Sequence, residues 1–568
     1  MTIWEWLEKR ARRKKQDSKQ DKPIPDSYMQ EEDTAPISPD LDENIHFIRG
    51  VLGVSEDLIL RRFHIFGQIS AVVFYYCNMV DEDSINLEIL KPLMNPPSQL
   101  KGKKVPLEGL KEILLYDTIY HSKSSFEGRR KQIVEGLLRG GTIVLIEGLQ
   151  EAVMIETKQV ERRAIQQPET EQVIRGPREG FIEQLSINIS LLRYRLPTTD
   201  FRVKSLVLGR LTKSKVAVCY LKGIANEALV KEVEARLSVI QLDGILDAGY
   251  LEQFIEDNHY SPFPQVQNTE RTDKAVANLL EGRVIILVDG SPFALIVPTV
   301  FNQFYQTTED YSERFLLVSF IRLFRLLALA FSLVTPSLYV AIIAFNPELI
   351  PTEFAVAVSG GRAGVPFPSV VEVLVMEASM EVLREATLRL PQQIGGALSI
   401  VGVLVIGQAA VSAGFVSPIT VVVIALTTIG SFATPAYNAA LALRLLRFPL
   451  IILAGMFGLY GVMVGLILIA NHLLSLKSFG IPYLSPVVPG NFQGMKDTVA
   501  RGPLWSMVKR PMMLHPQNDD RLGSKVKEKL DQEPDNTLDP LKVGNQREGA
   551  RHGISSSDHG DSGSGDTH

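Results

Sequence analysis

Charged residues are missing from three long stretches in the second half of the chain. No Asp, Glu, Lys or Arg occurs at 326–347, 391–443 or 448–476. A helix needs about 20 apolar residues to cross a bilayer, and a charge at mid-membrane costs about 3 kcal/mol on insertion scales. The pattern therefore predicts an integral membrane region with four hydrophobic segments, at about 321–345, 394–414, 418–434 and 448–474.

The first half of the chain has the pattern of a soluble protein of mixed helices and strands. Several apolar runs rich in β-branched residues have the length of buried strands. Such runs occur at 71–76, 142–146, 203–208, 216–221 and 284–288. Residues 227–240 instead carry Leu229, Val233 and Leu237 at helical spacing. These features predict an α/β region from about residue 41 to residue 315.

This soluble region repeats itself in sequence. Residues 137–148 (LLRGGTIVLIEG) match residues 279–290 (LLEGRVIILVDG) without a gap. Val72–Val80 also resembles Val216–Ile224 at nearly the same offset. An acidic residue and a glycine directly after a buried strand indicate a tight turn. We therefore expect two similar subdomains, with a junction near residues 160–195.

The predicted fold class is α+β with a membrane domain. The expected parts are a disordered basic arm (1–40), two α/β subdomains (41–165 and 166–315), a helical transmembrane domain of four to five segments (316–476), a post-membrane segment (477–514) and a disordered tail (515–568). Basic residues closely follow Trp6, without the apolar core that a cleaved signal needs. The N-terminal domain is therefore expected in the cytoplasm.

One helix of the membrane region, at 369–390, carries charged and apolar side chains together. At 100° per residue, four charged residues fall within about 100° of one another. These are Glu377, Glu381, Arg384 and Glu385, whereas Glu372 lies off this face. A single copy of the helix could hardly cross lipid, because its acidic face would be bare.

Three arrangements would keep this charged face out of lipid. The helix lies flat at the membrane surface, or it packs against a partner or the soluble domain with Arg384 pairing its acidic neighbours. Alternatively, several copies enclose an aqueous pore, in which case the four charged residues are candidate pore or gate residues and an acidic lining favours cations. Four crossings would leave both chain ends in the cytoplasm, whereas a fifth at 370–390 would place the tail outside.

A second candidate site is a proline inside a hydrophobic segment. Pro435 frees a backbone carbonyl, and Thr434 and Asn438 supply polar groups near it. Broken helices are tolerated at membrane depth where they line a water-filled cavity. We therefore treat Thr434, Pro435 and Asn438 as a candidate helix break in the membrane.

Composition gives no sign of catalysis or of a bound cofactor. Cys77 and Cys219 are too few for a disulfide framework or a cysteine zinc site. The chain lacks a phosphate-binding glycine loop ending in Lys-Ser/Thr and any nucleophile motif beside a histidine. Its net charge of −5 gives no reason to expect nucleic acid. We expect no catalytic residue, no metal and no cofactor.

Five stretches, taken together, resemble one known family. They are VIRGPREGFIE (173–183), GRAGVPFP (361–368), EASMEVLREA (377–386), GSFATPAYN (430–438) and RGPLWSMVKRP (501–511). In this order they resemble the A subunits of GerA-family spore germinant receptors, over about residues 41–514.

The resemblance implies a multi-pass protein of the spore inner membrane that acts in germination. It implies a complex with a transporter-like B subunit, which senses the nutrient, and with a lipoprotein C subunit. It further implies a homo-oligomer of A subunits that conducts cations when nutrient binds. The alternatives are a non-conducting membrane scaffold and an accessory family member associated with dipicolinic-acid channel proteins.

Overall fold

The structure is a computed structural model that describes residues 27–30, 35–53, 55–96, 109–158, 167–389, 407–490 and 494–522. Most of the predicted arm and tail, and residues 394–406 of the second predicted hydrophobic segment, lie outside these ranges. The described residues form two sheet-containing subdomains followed by a helical region.

Subdomain 1 is built around five strands, β1 (Leu58–Ile65), β2 (Ile69–Tyr76), β3 (Ser124–Glu127), β4 (Thr142–Ile146) and β5 (Ala152–Ile155). They pair antiparallel in the order β1-β2-β4-β5-β3. Helices α1 (Leu41–Leu52) and α2 (Arg130–Leu138) cover one face. Short helical segments cover the other, at Glu82–Ser84, Ile85–Leu90, Lys91–Met94, Leu110–Glu112 and Ile113–Thr118.

Subdomain 2 has the same design. Its strands are β6 (Phe201–Leu208), β7 (Ser214–Leu221), β8 (Gln267–Thr269), β9 (Val284–Val288) and β10 (Ala294–Val297). Helices α3 (Leu185–Arg195) and α6 (Thr272–Glu281) cover one face, and α4 (Glu227–Ser238) and α5 (Ala248–Ile255) cover the other. Both faces of the central strands β7, β9 and β10 are covered, which explains why their apolar runs are continuous and do not alternate with polar residues.

The second sheet has the order β6-β7-β9-β10-β8, which repeats the first sheet strand for strand, as the internal repeat predicts. The register, however, differs by one residue from the predicted correspondence. Ala71 pairs with Ile146, and Val216 pairs with Val288, so Val216 is equivalent to Ala71 and not to Val72. A one-residue slip moves a side chain to the other face, and runs that are apolar on both faces do not distinguish the two registers.

The two subdomains meet at a buried ion pair. The Arg193 guanidinium on α3 donates to both carboxylate oxygens of Asp57, at 2.5 and 2.8 Å, and to the hydroxyl of Ser55 at 3.0 Å. Its face lies 3.9 Å from the ring centroid of Tyr76 on β2. This subdomain ion pair therefore joins the segment before β1 to subdomain 2.

Some residues that the sequence places in the arm or the tail pack on the subdomains. Ile37 is buried in the core of subdomain 1, and the carboxylate of Asp40 accepts hydrogen bonds from the first amides of α1. The amide of Gln517 donates to the carbonyl of Ile224 at 3.0 Å. Polar composition did not reveal these contacts, because a single apolar side chain or a backbone bond is enough to fix each short segment.

The helical region begins after the short helical turns Phe301–Phe304 and Glu309–Ser312. Its helices are α7 (Phe315–Phe345), α8 (Thr352–Arg362), α9 (Ser369–Leu388), α10 (Pro418–Phe432) and α11 (Tyr437–Ser475), with a turn at Pro347–Leu349 and helical residues at 407–412. Within the described residues, α7 and α11 are long and apolar enough to span a membrane, by length and composition. Helix α10 is apolar but shorter.

Helix α11 is interrupted at Gly458. This residue has φ 59° and ψ −141°, which no residue of a right-handed helix adopts. A Cβ atom added there would lie 2.9 Å from the Phe345 side chain at the end of α7. Glycine is therefore required at this position both for its backbone conformation and for its contact.

The two arms of α11, at 437–457 and 459–475, fold back on each other. A Cβ atom at Gly461 would meet the carbonyl oxygen of Leu453, and one at Gly465 would meet the side chain of Leu450. The single segment predicted at 448–474 is therefore a helical hairpin. Hydropathy did not predict the reversal, because one glycine inside an apolar run leaves the average unchanged.

After α11 the chain returns to subdomain 2. The hydroxyl of Tyr483 donates to the carbonyl of Pro264 at 2.7 Å, and that of Ser478 donates to the carbonyl of Gln265 at 2.7 Å. Two short strands, β11 (Lys477–Ser478) and β12 (Ile481–Pro482), precede helical turns at Gly494–Lys496, Leu504–Ser506 and Met512–Leu514. Residues 504–509 and 520–522 belong to a separate small unit, in which the Arg521 amide donates to the Val508 carbonyl at 2.8 Å.

Candidate functional site

The charged face of α9 packs against the first arm of α11. Glu377 lies 3.4 Å from Arg447, and Glu381 lies 3.0 Å from Arg384 and 3.5 Å from Arg444. We call these five residues the arginine–glutamate cluster. It brings together two acidic residues one turn apart on α9, Arg384 on the same helix, and two basic residues one turn apart on α11.

Close packing of the two helices makes these contacts possible. A Cβ atom at Gly455 on α11 would lie 2.6 Å from the side chain of Val370 at the start of α9. Farther along, the guanidinium of Arg384 lies 5.2 Å from the ring centroid of Phe432, and that of Arg444 lies 5.5 Å from the ring of Tyr437. The last residue of α10 and the first residue of α11 thus flank the cluster.

Most of the cluster is buried within one chain, whereas Glu381 at its edge is 39% exposed. Glu377, Arg444 and Arg447 are 6%, 5% and 1% exposed. From the sequence, the acidic face of a single copy was expected to be bare. In the structure, arginines of the same chain face it. Arg384 does pair with an acidic neighbour, as one of the three hypotheses expects.

Glu385, the fourth residue of the predicted charged face, does not join the cluster. It pairs with Arg389 at 2.6 Å, and both side chains are mostly exposed. Val375 and Val382, on the apolar side of α9, are also exposed. The helix therefore turns part of its acidic face into the chain and leaves an apolar side uncovered by the described residues.

The predicted helix break lies beside the cluster. Helix α10 ends at Phe432 and α11 begins at Tyr437, so Pro435 stands between two helices. Thr434 is buried and Asn438 is half-buried. The amide of Ala436 donates to the carbonyl of Phe304 at 3.2 Å, which fixes the break against the end of the soluble region.

Glu372 lies off the predicted charged face of α9 and has its own polar partners. It is buried, pairs with Arg362 at 3.0 Å, and accepts hydrogen bonds from the amide of Ser417 and the hydroxyl of Thr420 at 2.9 and 3.0 Å. It thereby joins α8, α9 and α10. The only sequence signal was a carboxylate inside an apolar run without a neighbouring cation at helical spacing.

A second buried group of charges, the junction cluster, lies where the soluble region meets α7. Arg322 is fully buried and binds Asp310 and Asp497, each at 2.8 Å, and the hydroxyl of Tyr311 donates to Asp497 at 2.6 Å. Burial raises the pKa of the Asp310 carboxyl, but the charges of Arg322 and Arg325 outweigh it and hold this pKa below its ordinary value. The junction cluster connects α7 to the segment that follows α11.

Comparison with known proteins identifies the family. A profile described as Bacillus/Clostridium GerA spore germination protein matches residues 46–513. This chain belongs to the GerA family.

Two relatives of this GerA-family chain come from Bacillus subtilis (strain 168). Spore germination protein KA is 42% identical over 88% of this chain and 90% of its own length. The uncharacterized membrane protein YfkQ is 38% identical over 89% of this chain and 97% of its own. Among solved structures, the N-terminal domain of the A subunit of the Bacillus megaterium spore germinant receptor GerK3 is 31% identical, with a TM-score of 0.37, over 47% of this chain and 98% of that one.

Three of the five family-like stretches meet in the helical region of this GerA-family chain. EASMEVLREA supplies the acidic residues of the cluster, GSFATPAYN forms the adjacent break, and GRAGVPFP connects α8 to α9. RGPLWSMVKRP begins with Arg501, whose guanidinium lies 5.3 Å from the ring of Tyr311 in the junction cluster. Among the described residues, no group of three or more His, Cys, Asp or Glu is arranged to hold a metal ion.

Proposed function

We propose that this protein is the A subunit of a nutrient germinant receptor, and that copies of it form a channel that conducts cations when nutrient binds and so starts germination. The observation that carries the proposal is the arginine–glutamate cluster. Ionisable residues inside an apolar helical region are costly, and in membrane proteins they commonly mark ion pathways. Membership of the GerA family supports the role in germination.

Within the charged face, Glu381 and Glu385 are the residues most suited to contact ions. Their side chains are 39% and 60% exposed, whereas Glu377 is enclosed by α11. A second copy of α9 packed near this edge would bring further carboxylates close to them. Glu377, which pairs with Arg447 on α11, and Arg384, which faces Phe432 at the end of α10, then serve as gate residues. Thr434, Pro435 and Asn438 form the break beside them.

The proposed location is the spore inner membrane, with several membrane crossings and the two subdomains in the cytoplasm. Both ends of the helical region contact the soluble region, at Arg322 and at Tyr483. This favours an even number of crossings, which keeps the post-membrane segment on the same side as the subdomains. The proposed partners are the transporter-like B subunit and the lipoprotein C subunit.

Reconstitution tests conduction directly. The full-length chain and its B and C partners are placed in liposomes, and cation flux is measured after nutrient addition. Glu381→Gln is expected to lower the cation flux severalfold, because a carboxylate near the ion path is lost. Glu135→Gln, which removes a surface ion pair with Arg139 on α2, is the matched control and should leave flux unchanged.

Two results would contradict the proposal. A non-conducting scaffold passes no current with any nutrient, in the wild type as in the variants. Equal flux in the wild type, Glu381→Gln and Glu385→Gln would remove the charged face of α9 from the ion path. Cation release from spores carrying the same variants provides the matching measurement in the organism.

A further inference from the structure

The arginine–glutamate cluster contains one cation more than its carboxylates balance. Arg384, Arg444 and Arg447 face Glu377 and Glu381. Three guanidinium groups against two carboxylates leave a surplus of one positive charge in a buried site, which is unfavourable unless a counter-charge is present.

The neighbouring carboxylates are already matched. Glu372 binds Arg362, and Glu385 binds Arg389. Among the described residues, no other carboxylate pairs with an arginine of the cluster. Residues 390–406, which lie outside the described ranges, contain no Asp or Glu. The counter-charge therefore has to come from outside the chain's own carboxylates in this region.

Arg444 and Arg447 of the cluster carry hydrogen-bond donors that have no acceptor. In the part of the chain that the structure describes, the Nη2 atoms of Arg444 and Arg447 and the Nε atom of Arg447 are buried and have no hydrogen-bond partner. The Nε atom of Arg444 lies 3.5 Å from a Glu381 carboxylate oxygen without forming a hydrogen bond, and one carboxylate oxygen of Glu377 is also buried without a donor. Both arginine side chains are more than nine-tenths buried. Buried donors without an acceptor cost free energy, and these donors belong to the groups that carry the surplus charge.

We propose that the cluster binds one small oxyanion between Arg444 and Arg447. The planar guanidinium fork matches a phosphate or carboxylate group with two parallel hydrogen bonds, and one such anion would supply both the missing charge and the missing acceptors. The phosphate can be a free ion or the headgroup of an anionic lipid. The lipid is included because Arg444 lies only about 10 Å along α11 from the start of this helix.

The proposed anion site and the proposed channel involve the same residues. Anion binding depends only on the charges of these residues and not on whether the protein conducts cations. Bound anion would fix Arg444 and Arg447 in place and so hold α9 against α11. Its release would leave the surplus charge unmatched. The anion is therefore a structural ligand whose occupancy sets how firmly α9 is held.

Equilibrium dialysis of the full-length protein in detergent against radiolabelled inorganic phosphate tests the site. Arg444→Gln removes the surplus and should weaken binding about tenfold, the equivalent of one charge-assisted hydrogen bond. Glu381→Gln raises the surplus to two charges and should tighten binding by a similar factor. Glu135→Gln, at a surface ion pair of subdomain 1, is the control and should bind as the wild type does.

Tighter binding by Glu381→Gln is the decisive result, since a loss of structure would only weaken binding. If Arg444→Gln does not fold, Arg384→Gln makes the same change in charge. Equal phosphate affinity in the wild type, Glu381→Gln and the arginine variant overturns the proposal. So does the absence of saturable binding by the wild type both to phosphate and to lipid.

A second arm separates the two sources of phosphate. In phosphate-free buffer, the melting temperature is measured in phosphatidylglycerol and in phosphatidylcholine vesicles. Stabilisation by phosphatidylglycerol that Arg444→Gln loses assigns the lipid headgroup, and stabilisation by added phosphate in both vesicles assigns the free ion. A loss of cation flux in Glu381→Gln with unchanged phosphate affinity would overturn this inference and leave the proposed function intact.

Discussion

The soluble and helical regions each contain a buried group of charges, and the two groups are built differently. In the subdomain ion pair, Arg193 donates to both oxygens of Asp57 at 2.5 and 2.8 Å, one cation against one anion. In the arginine–glutamate cluster, Arg447 approaches Glu377 only at 3.4 Å, and the charges do not cancel. The first arrangement leaves nothing for a ligand to add. The second leaves both charge and donors available, which suits a site that changes state.

The largest effect is expected at the subdomain ion pair. Arg193→Gln leaves the Asp57 carboxylate buried without its cation and should destabilise the region by about 3–5 kcal/mol. Hydrogen exchange of β1 and β6 in the full-length protein measures this locally. The control is Arg195→Gln on the same helix, which breaks a partly exposed pair with Glu179 and should cost less than about 1 kcal/mol. Equal exchange in both variants would contradict the structural role.

The junction cluster is a second balanced arrangement and extends the comparison to α7. Arg322→Gln leaves Asp497 without its cation and Asp310 with Arg325 alone, and it should cost about 3 kcal/mol. Residues 494–502 are then expected to lose their contact with α7, which limited proteolysis of this segment detects. Arg314→Gln, at an exposed position one residue before α7, should leave the cleavage rate unchanged. Protection of 494–502 in the Arg322 variant would argue against this connection.

An asymmetry between partners should distinguish the arginine–glutamate cluster from the balanced pairs. Glu377→Gln raises its surplus to two charges and is expected to destabilise α9 by about 2 kcal/mol. Arg447→Gln removes the surplus and should cost clearly less. At the subdomain ion pair, by contrast, Asp57→Asn and Arg193→Gln should be about equally harmful. Hydrogen exchange of α9 measures the difference, and equal losses in the two cluster variants would show that the charge count does not matter.

The smallest effect concerns a buried carboxylate held among other acidic groups. Burial, with the nearby charges of Glu256 and Asp247, raises the pKa of Glu252 on α5 to about 7. The folded state therefore binds this proton more tightly than the unfolded state, and the resulting stability is present below about pH 4.5 and lost as pH rises through 7. Glu252→Gln should stabilise subdomain 2 by about 2 kcal/mol at pH 8 and leave it unchanged at pH 4. Melting temperatures across this range test the sign, and a destabilised variant at pH 8 would contradict it.

Several parts of the fold were predictable because they depend on local or periodic features. The apolar runs identified β2, β4, β6, β7 and β9, and the repeat predicted two similar subdomains, whose shared strand order only the structure shows. Residues 369–388 are helical, and spacing alone determines which side chains of such a helix share a face. The break near Pro435 followed from the special backbone of proline.

Other parts depended on which segments meet. The residue-by-residue correspondence between β2 and β7 could not be read from runs that are apolar on both faces. The reversal at Gly458 was not predictable, because it depends on the close packing of this residue against Phe345 of α7. Arg444 and Arg447 lie more than sixty residues away on α11, so a projection of α9 alone supplied only Arg384 as a cation for Glu377 and Glu381.

By itself, the sequence determined where the chain is apolar, where it repeats and which residues share a helix face, because these are properties of neighbouring positions. Only the tertiary structure decided which face meets which, that Arg444 and Arg447 are turned towards α9, and that the cluster has one positive charge too many. The physical reason is that Coulomb energy and hydrogen bonding depend on distances in space, and those distances are set by packing between residues that are remote along the chain.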